Sequence, residues 1–103
     1  MALGFNAMGG VGCISVTANV APKLCSQFQE AMREGRWADA LALQDRLFPL
    51  HAALFSDASP GPVKYALNRV RPSFPAALRA PMTPPSDASR KAVDAALAHA
   101  GLI

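Results

Sequence analysis

Apolar residues recur three and four positions apart through most of the chain, and in one short stretch they crowd together. The three-four spacing marks one face of an amphipathic helix. Leu24, Phe28, Ala31 and Met32 follow it and predict a helix over Pro22–Glu34, with Pro22 in the first turn, where its missing N–H costs nothing. Gly35 is the expected stop. Ala40, Leu43, Leu47, Leu50 and Leu54 repeat the rhythm and predict a second helix over Trp37–Phe55. Pro49 lies inside it and should bend it or shift its bonding. Met1–Met8 reads as the tail of a helix, ended by Gly9 and Gly10, and another helix is expected over Val63–Val70. The last starts at the N-cap Ser86, buries Ala92, Val93, Ala96, Leu97 and Ala100, and ends near Ala100 with Gly101 as its stop.

The crowded stretch is different. Val11, Cys13, Ile14 and Val16 place apolar side chains on both faces of a strand over Val11–Val16. A strand buried on both faces belongs inside a parallel sheet covered by helices. No second strand is visible in the chain, so the backbone groups of this one have no evident partner. Between the helices lie two irregular stretches. Ser56–Pro62 is rich in turn formers, and prolines at 72, 75, 81, 84 and 85 exclude a regular helix there, although Leu78 and Met82 can still pack.

Composition sharpens this picture only modestly. The 103 residues are 51% hydrophobic and 17% charged, as in a globular chain of one small domain. The net charge of +3 is spread without a basic block or interleaved aromatics, which favours solvated helix faces over a nucleic-acid surface. No apolar run approaches the ~20 residues of a membrane helix. The N-terminal segment does not read as a signal peptide. Cys13 and Cys25 fit no zinc or redox spacing, so two reduced, partly buried thiols in a cytoplasmic protein are expected.

The stretch GVGCISVTANVAP, Gly10–Pro22, resembles the last barrel strand and following helix of the dihydrodipicolinate (4-hydroxy-tetrahydrodipicolinate) synthase family of lysine Schiff-base aldolases and lyases. RLFPLHAALF, PVKYAL and LRAPMTPPSDASRKAVDAALAHAGLI continue the likeness in register. Two departures are SPGP at Ser59–Pro62, where the family has Asn-Pro-Ile-Pro, and the unusual NRVRPSFPAA. Both lie in the helical tail. The resemblance implies an α/β fold, the C-terminal part of an eight-stranded (β/α) TIM barrel, for which ~250 residues is typical. The chain itself would be mostly α. Residues 1–35 would hold the last barrel strand and flanking helices, and residues 36–103 a C-terminal helical region. The missing strands would belong to sequence upstream of Met1.

The resemblance further implies a lyase that condenses pyruvate with L-aspartate 4-semialdehyde in lysine biosynthesis through diaminopimelate. It needs no cofactor and acts as a homo-oligomer, commonly a tetramer. The Schiff-base lysine, the relay tyrosine with its threonines, and the substrate-binding arginine would lie on strands that this chain does not contain. No catalytic or metal-ligating residue is therefore assigned here, and the isolated chain is expected to be inactive. One position carries over: Ile14 would line the pyruvate pocket, with its backbone carbonyl facing the keto acid. Ser15 and Thr17 are weaker neighbours, and Ser15 has no base beside it. For Lys23 and Lys64 a hydrated surface role is preferred to a nucleophilic one. Tyr65 reads as a packing aromatic. His51 and His99 lack partners at ligand spacing. A related N-acetylneuraminate or sugar-acid lyase, and a non-catalytic helical interaction module, are the competing readings. ISVTANVAP looks more like the synthases than like the other lyases.

Overall fold

Three helices supply most of the buried surface, and the longest lies between the other two. The computed structural model describes all 103 residues, Met1–Ile103. In chain order these are α1 (Ala2–Ala7), a single 3-10 turn (Thr17–Asn19), α2 (Pro22–Arg33), α3 (Trp37–Ala53), α4 (Gly61–Val70) and α5 (Asp87–His99). α3 packs against α2 on one side and α5 on the other, and α4 packs beside α5. The core is one continuous cluster that runs from Val20 to Leu97. Leu47, Leu50, Leu54, Val93 and Leu97 are its fully buried large side chains.

The predicted stripe on α2 is buried throughout; of the one on α3, Ala40, Leu47 and Leu50 are buried, Leu54 is buried just past the helix end, and Leu43 is half-buried. Gly35, at φ +71°, reverses the chain after α2. There the Arg36 amide donates back to the Ala31 carbonyl at 2.8 Å. α5 ends in the same way. Gly101, at φ +68°, lets the Leu102 amide reach the Leu97 carbonyl at 3.0 Å and its own amide reach Ala98 at 2.9 Å. This paired closure satisfies carbonyls that would otherwise be left open at a helix end. Ser86 caps the start of α5, its hydroxyl accepting from the Ser89 amide at 3.3 Å.

Pro49 sits within α3 without ending it. Having no N–H, it leaves the Asp45 carbonyl without its usual helical donor. His99 of α5 brings Nε2 to that carbonyl at 3.3 Å, and Arg46 Nε donates to the Ala100 carbonyl at 2.7 Å. The proline thus helps tie α3 to the end of α5.

Three expectations are corrected. The strand Val11–Val16 is not formed: no backbone amide or carbonyl from Val11 through Ser15 joins a backbone hydrogen bond. A strand is defined by pairing, and this chain offers no neighbour to pair with. Val11, Cys13 and Ile14 are accordingly exposed rather than buried. Ala92, expected inside, faces outward, because the buried stripe of α5 runs through Ser89, Val93, Ala96 and Leu97. α4 begins at Gly61, two residues before the expected start, with Pro62 in its first turn and both residues buried.

The molecule is looser than a self-contained monomer of its mass. Its surface of 6362 Å² exceeds the roughly 5,500 Å² expected at 10.8 kDa. The radius of gyration of 14.2 Å exceeds the roughly 13 Å expected for about 100 residues. Only 21 of 103 residues are buried, so each of them matters. Leu50→Ala is expected to cost about 2–5 kcal/mol, read as a lower urea midpoint by helical circular dichroism. Phe48→Ala, two residues away on the exposed face of the same helix, should cost less than about 0.5 kcal/mol.

Candidate substrate-facing segment

The segment between Gly10 and the 3-10 turn is the least satisfied part of the backbone and the part that carries the candidate residue. Gly9 and Gly10 end α1, and the chain then crosses α2 without secondary structure. Val11 and Ile14 are fully exposed, at 104% and 108%. The Ile14 carbonyl accepts no backbone hydrogen bond. It is free to accept one from outside the chain.

Past Ile14 the chain is anchored. The Ser15 hydroxyl accepts from the Ala18 amide at 3.3 Å. Thr17 is buried, and its hydroxyl shares a 2.6 Å hydrogen bond with His51 Nδ1 on α3. This bond fixes where the segment leaves the helical body. The sequence pattern gave no sign of it, because the partners stand 34 positions apart. Beneath the segment lies a pocket of about 360 Å³, whose walls include Cys13, Ser15, Cys25, Gln29, Leu47 and His51.

The other weighed residues are not gathered here. Lys23 is exposed at the start of α2. Lys64 Nζ donates to the Ala77 carbonyl and holds the proline-rich segment to α4. The Tyr65 hydroxyl donates to Asp94 Oδ2 at 3.0 Å, and Arg69 Nε donates to Oδ1 of the same carboxylate at 2.7 Å. Arg90 lies 5.8 Å from the Tyr65 ring centroid. Burial, and then the bond to Asp94, push the Tyr65 hydroxyl upward. The tyrosine is thus tied into a bridge from α4 to α5. No three His, Cys, Asp or Glu side chains converge as metal ligands. No helix is long and apolar enough to cross a membrane.

Comparison with known proteins bears on this geometry. Residues 1–100 match the model of the dihydrodipicolinate synthetase family. A 4-hydroxy-tetrahydrodipicolinate synthase of Rhizorhabdus wittichii is 80% identical over 102 residues, which are 99% of this chain and 35% of that protein. The solved dihydrodipicolinate synthase of Thermotoga maritima aligns with a TM-score of 0.91 at 32% identity, covering 99% of this chain and 34% of that one. The chloride-inhibited dihydrodipicolinate synthase from Acinetobacter baumannii, solved with pyruvate, gives 0.88 at 34% identity, covering 98% and 34%. The chain therefore spans about a third of the length of the relatives it matches, and it is the mostly helical share of a TIM-barrel structure.

His51 offers a direct test of the anchoring. Burial first, and the Met1 ammonium second, hold its imidazole below the usual 6.5. The unfolded chain then takes up this proton more readily than the folded one, so stability should be level above about 6.5 and decline as pH falls through the depressed folded value. Urea midpoints at several pH values should show that decline, and His51→Asn should flatten it. An NMR titration should place the His51 ring below 6.5.

Proposed function

The chain belongs to the dihydrodipicolinate synthetase family, and from that premise we propose that it acts as the C-terminal third of a 4-hydroxy-tetrahydrodipicolinate synthase. The reaction is the condensation of pyruvate with L-aspartate 4-semialdehyde in lysine biosynthesis through diaminopimelate. In the complete enzyme, Val11–Val16 becomes the last strand of the barrel, within a unit of residues 1–35. Residues 36–103 form the helical region packed beside the barrel. The assembly is a homotetramer in the cytoplasm.

One observation carries this reading. A segment with family sequence on both sides has every backbone group from Val11 through Ser15 unpaired, while its matched relatives are about three times as long. Strands added on either side would satisfy those groups and cover Val11. Barrel chemistry gathers at the C-terminal ends of the strands. Ile14 stands near that end, and its open carbonyl faces the bound keto acid.

The nucleophile comes from elsewhere in the barrel. A Schiff-base lysine must be desolvated to attack a carbonyl. Lys23 is exposed, and Lys64 is spent on the Ala77 carbonyl. What this chain gives the reaction is a wall of the pocket, an acceptor at Ile14, and the Thr17–His51 anchor that holds the strand end in place.

Complementation tests the proposal. The first two-thirds of the Rhizorhabdus wittichii enzyme and this chain should each be inactive and should together condense the two substrates. Activity of this chain by itself, or borohydride trapping of pyruvate on Lys23 or Lys64, would refute it. In the complemented enzyme, an ester in place of the Ile14–Ser15 peptide weakens the Ile14 carbonyl as an acceptor. It should raise KM for pyruvate by up to about tenfold, the worth of one hydrogen bond.

A further inference from the structure

One hydrogen bond ties the substrate-facing segment to α3, the 2.6 Å contact between the Thr17 hydroxyl and His51 Nδ1. Its direction matters. Thr17 is 2% exposed, and its hydroxyl has no other hydrogen-bond partner in the chain. A hydroxyl that only accepted here would leave its own hydrogen buried and unpaired. Burial above all keeps the His51 imidazole below the usual 6.5, so at neutral pH the ring is uncharged and one of its nitrogens has an open lone pair. Thr17 is satisfied when it donates to Nδ1 and the ring carries its proton on Nε2. The ring itself is half-buried.

The bond acts at a stiff point in the chain. The Val16 carbonyl accepts from the Asn19 amide at 3.1 Å and from Asn19 Nδ2 at 3.1 Å. The Ser15 hydroxyl accepts from the Ala18 amide at 3.3 Å. The Thr17 carbonyl accepts from the Val20 amide at 3.0 Å and the Ala21 amide at 2.9 Å, which joins the turn to the start of α2. Ser15–Ala21 is therefore one stiff piece, and Ile14 is the residue directly before it. α3 is held in turn by α2 and by α5. Neighbouring strands fix a barrel strand along its length, but pairing stops where the 3-10 turn begins. At that point the side-chain bond to His51 sets the strand end relative to the helical body.

We propose that His51 is a positioning residue for the first substrate: as the Nε2–H tautomer it holds Thr17, and through the Ser15–Ala21 piece it sets the Ile14 carbonyl against pyruvate. That role rests on the barrel reading of Val11–Val16 given above. His51 touches neither substrate. Its loss weakens the hold on the keto acid and leaves the chemistry at the lysine, which lies elsewhere in the barrel, in place. Binding of the aldehyde, which reacts second, is not affected.

The test assembles the first two-thirds of the Rhizorhabdus wittichii enzyme with this chain carrying Thr17→Val, His51→Leu, both together, or His51→Asn. Thr17→Val keeps the branched shape and loses the donor. His51→Asn keeps an acceptor, because Oδ1 of asparagine lies as many bonds from Cβ as Nδ1 of histidine. Thr17→Val and His51→Leu should each raise KM for pyruvate about three- to tenfold, with kcat and KM for the aldehyde nearly unchanged. The double variant should be no worse than either single one, and His51→Asn should restore most of the lost affinity. Tyr65→Phe, which loosens the bridge from α4 to α5 instead, should lower the urea midpoint without moving KM for pyruvate. In this chain by itself, nitrogen-15 NMR of the His51 ring should show Nε2 protonated and Nδ1 bare. An unchanged KM for pyruvate in both single variants, losses in kcat in place of KM, additive effects in the double variant, or a proton on Nδ1 would each overturn the proposal and leave the barrel assignment standing. An inactive assembly of the unmodified parts would overturn that assignment, and the role of His51 with it.

Discussion

A buried peptide group must find a hydrogen-bond partner, and that requirement organises everything distinctive about this chain. Across the helices it is met locally. The last carbonyls of α2 and α5 are closed by amides brought round through Gly35 and Gly101. The carbonyl released by Pro49 meets His99. From Val11 through Ser15 it is not met within the chain, and the molecule keeps those groups in water by leaving the segment exposed. Apolar side chains such as Val11 and Ile14 go with it. The cost of unpaired backbone in a dry interior, about 1–3 kcal/mol per group, outweighs the gain from burying two or three apolar side chains there.

The same requirement links the fold to function. A strand edge with open donors and acceptors is a binding surface for other strands, and an open carbonyl at its end can meet a small polar ligand. The helical body supplies the rigid reference. α3 is held on both faces, by α2 and by α5, and His51 on α3 fixes the point at which the segment departs. The Tyr65–Asp94–Arg69 bridge and the Ser56–Ser89 hydroxyl pair, 2.7 Å apart, brace the tail on which that reference depends.

How much of this could be read in advance follows from the range of each interaction. Pro22, Gly35, Ser86 and Gly101 act on their immediate neighbours, so the helix ends they set were legible. The leucine stripe on α3 was legible because its period is the period of the helix. Ala92 was misplaced because alanine spacing fits more than one helix face, and Ser89 claimed the buried side through its bond to Ser56. The Thr17–His51 contact joins residues far apart in the chain and leaves no periodic mark. Strand character over Val11–Val16 was legible in residue type, but strand structure is a property of pairs. The role proposed for Ile14 rests on a carbonyl every residue possesses, so it comes from resemblance to a family and not from its side chain.

Amide hydrogen exchange resolved at Val11–Ser15 probes the central constraint most directly. In this chain by itself those amides should exchange at nearly the rates of an unstructured peptide, while the amides of α3 are protected. On addition of the first two-thirds of the Rhizorhabdus wittichii synthase they should become as slow as those of a buried strand. Strong protection at Val11–Ser15 in the isolated chain, or none in the mixture, would contradict the view that this segment is a strand whose partners lie outside the polypeptide.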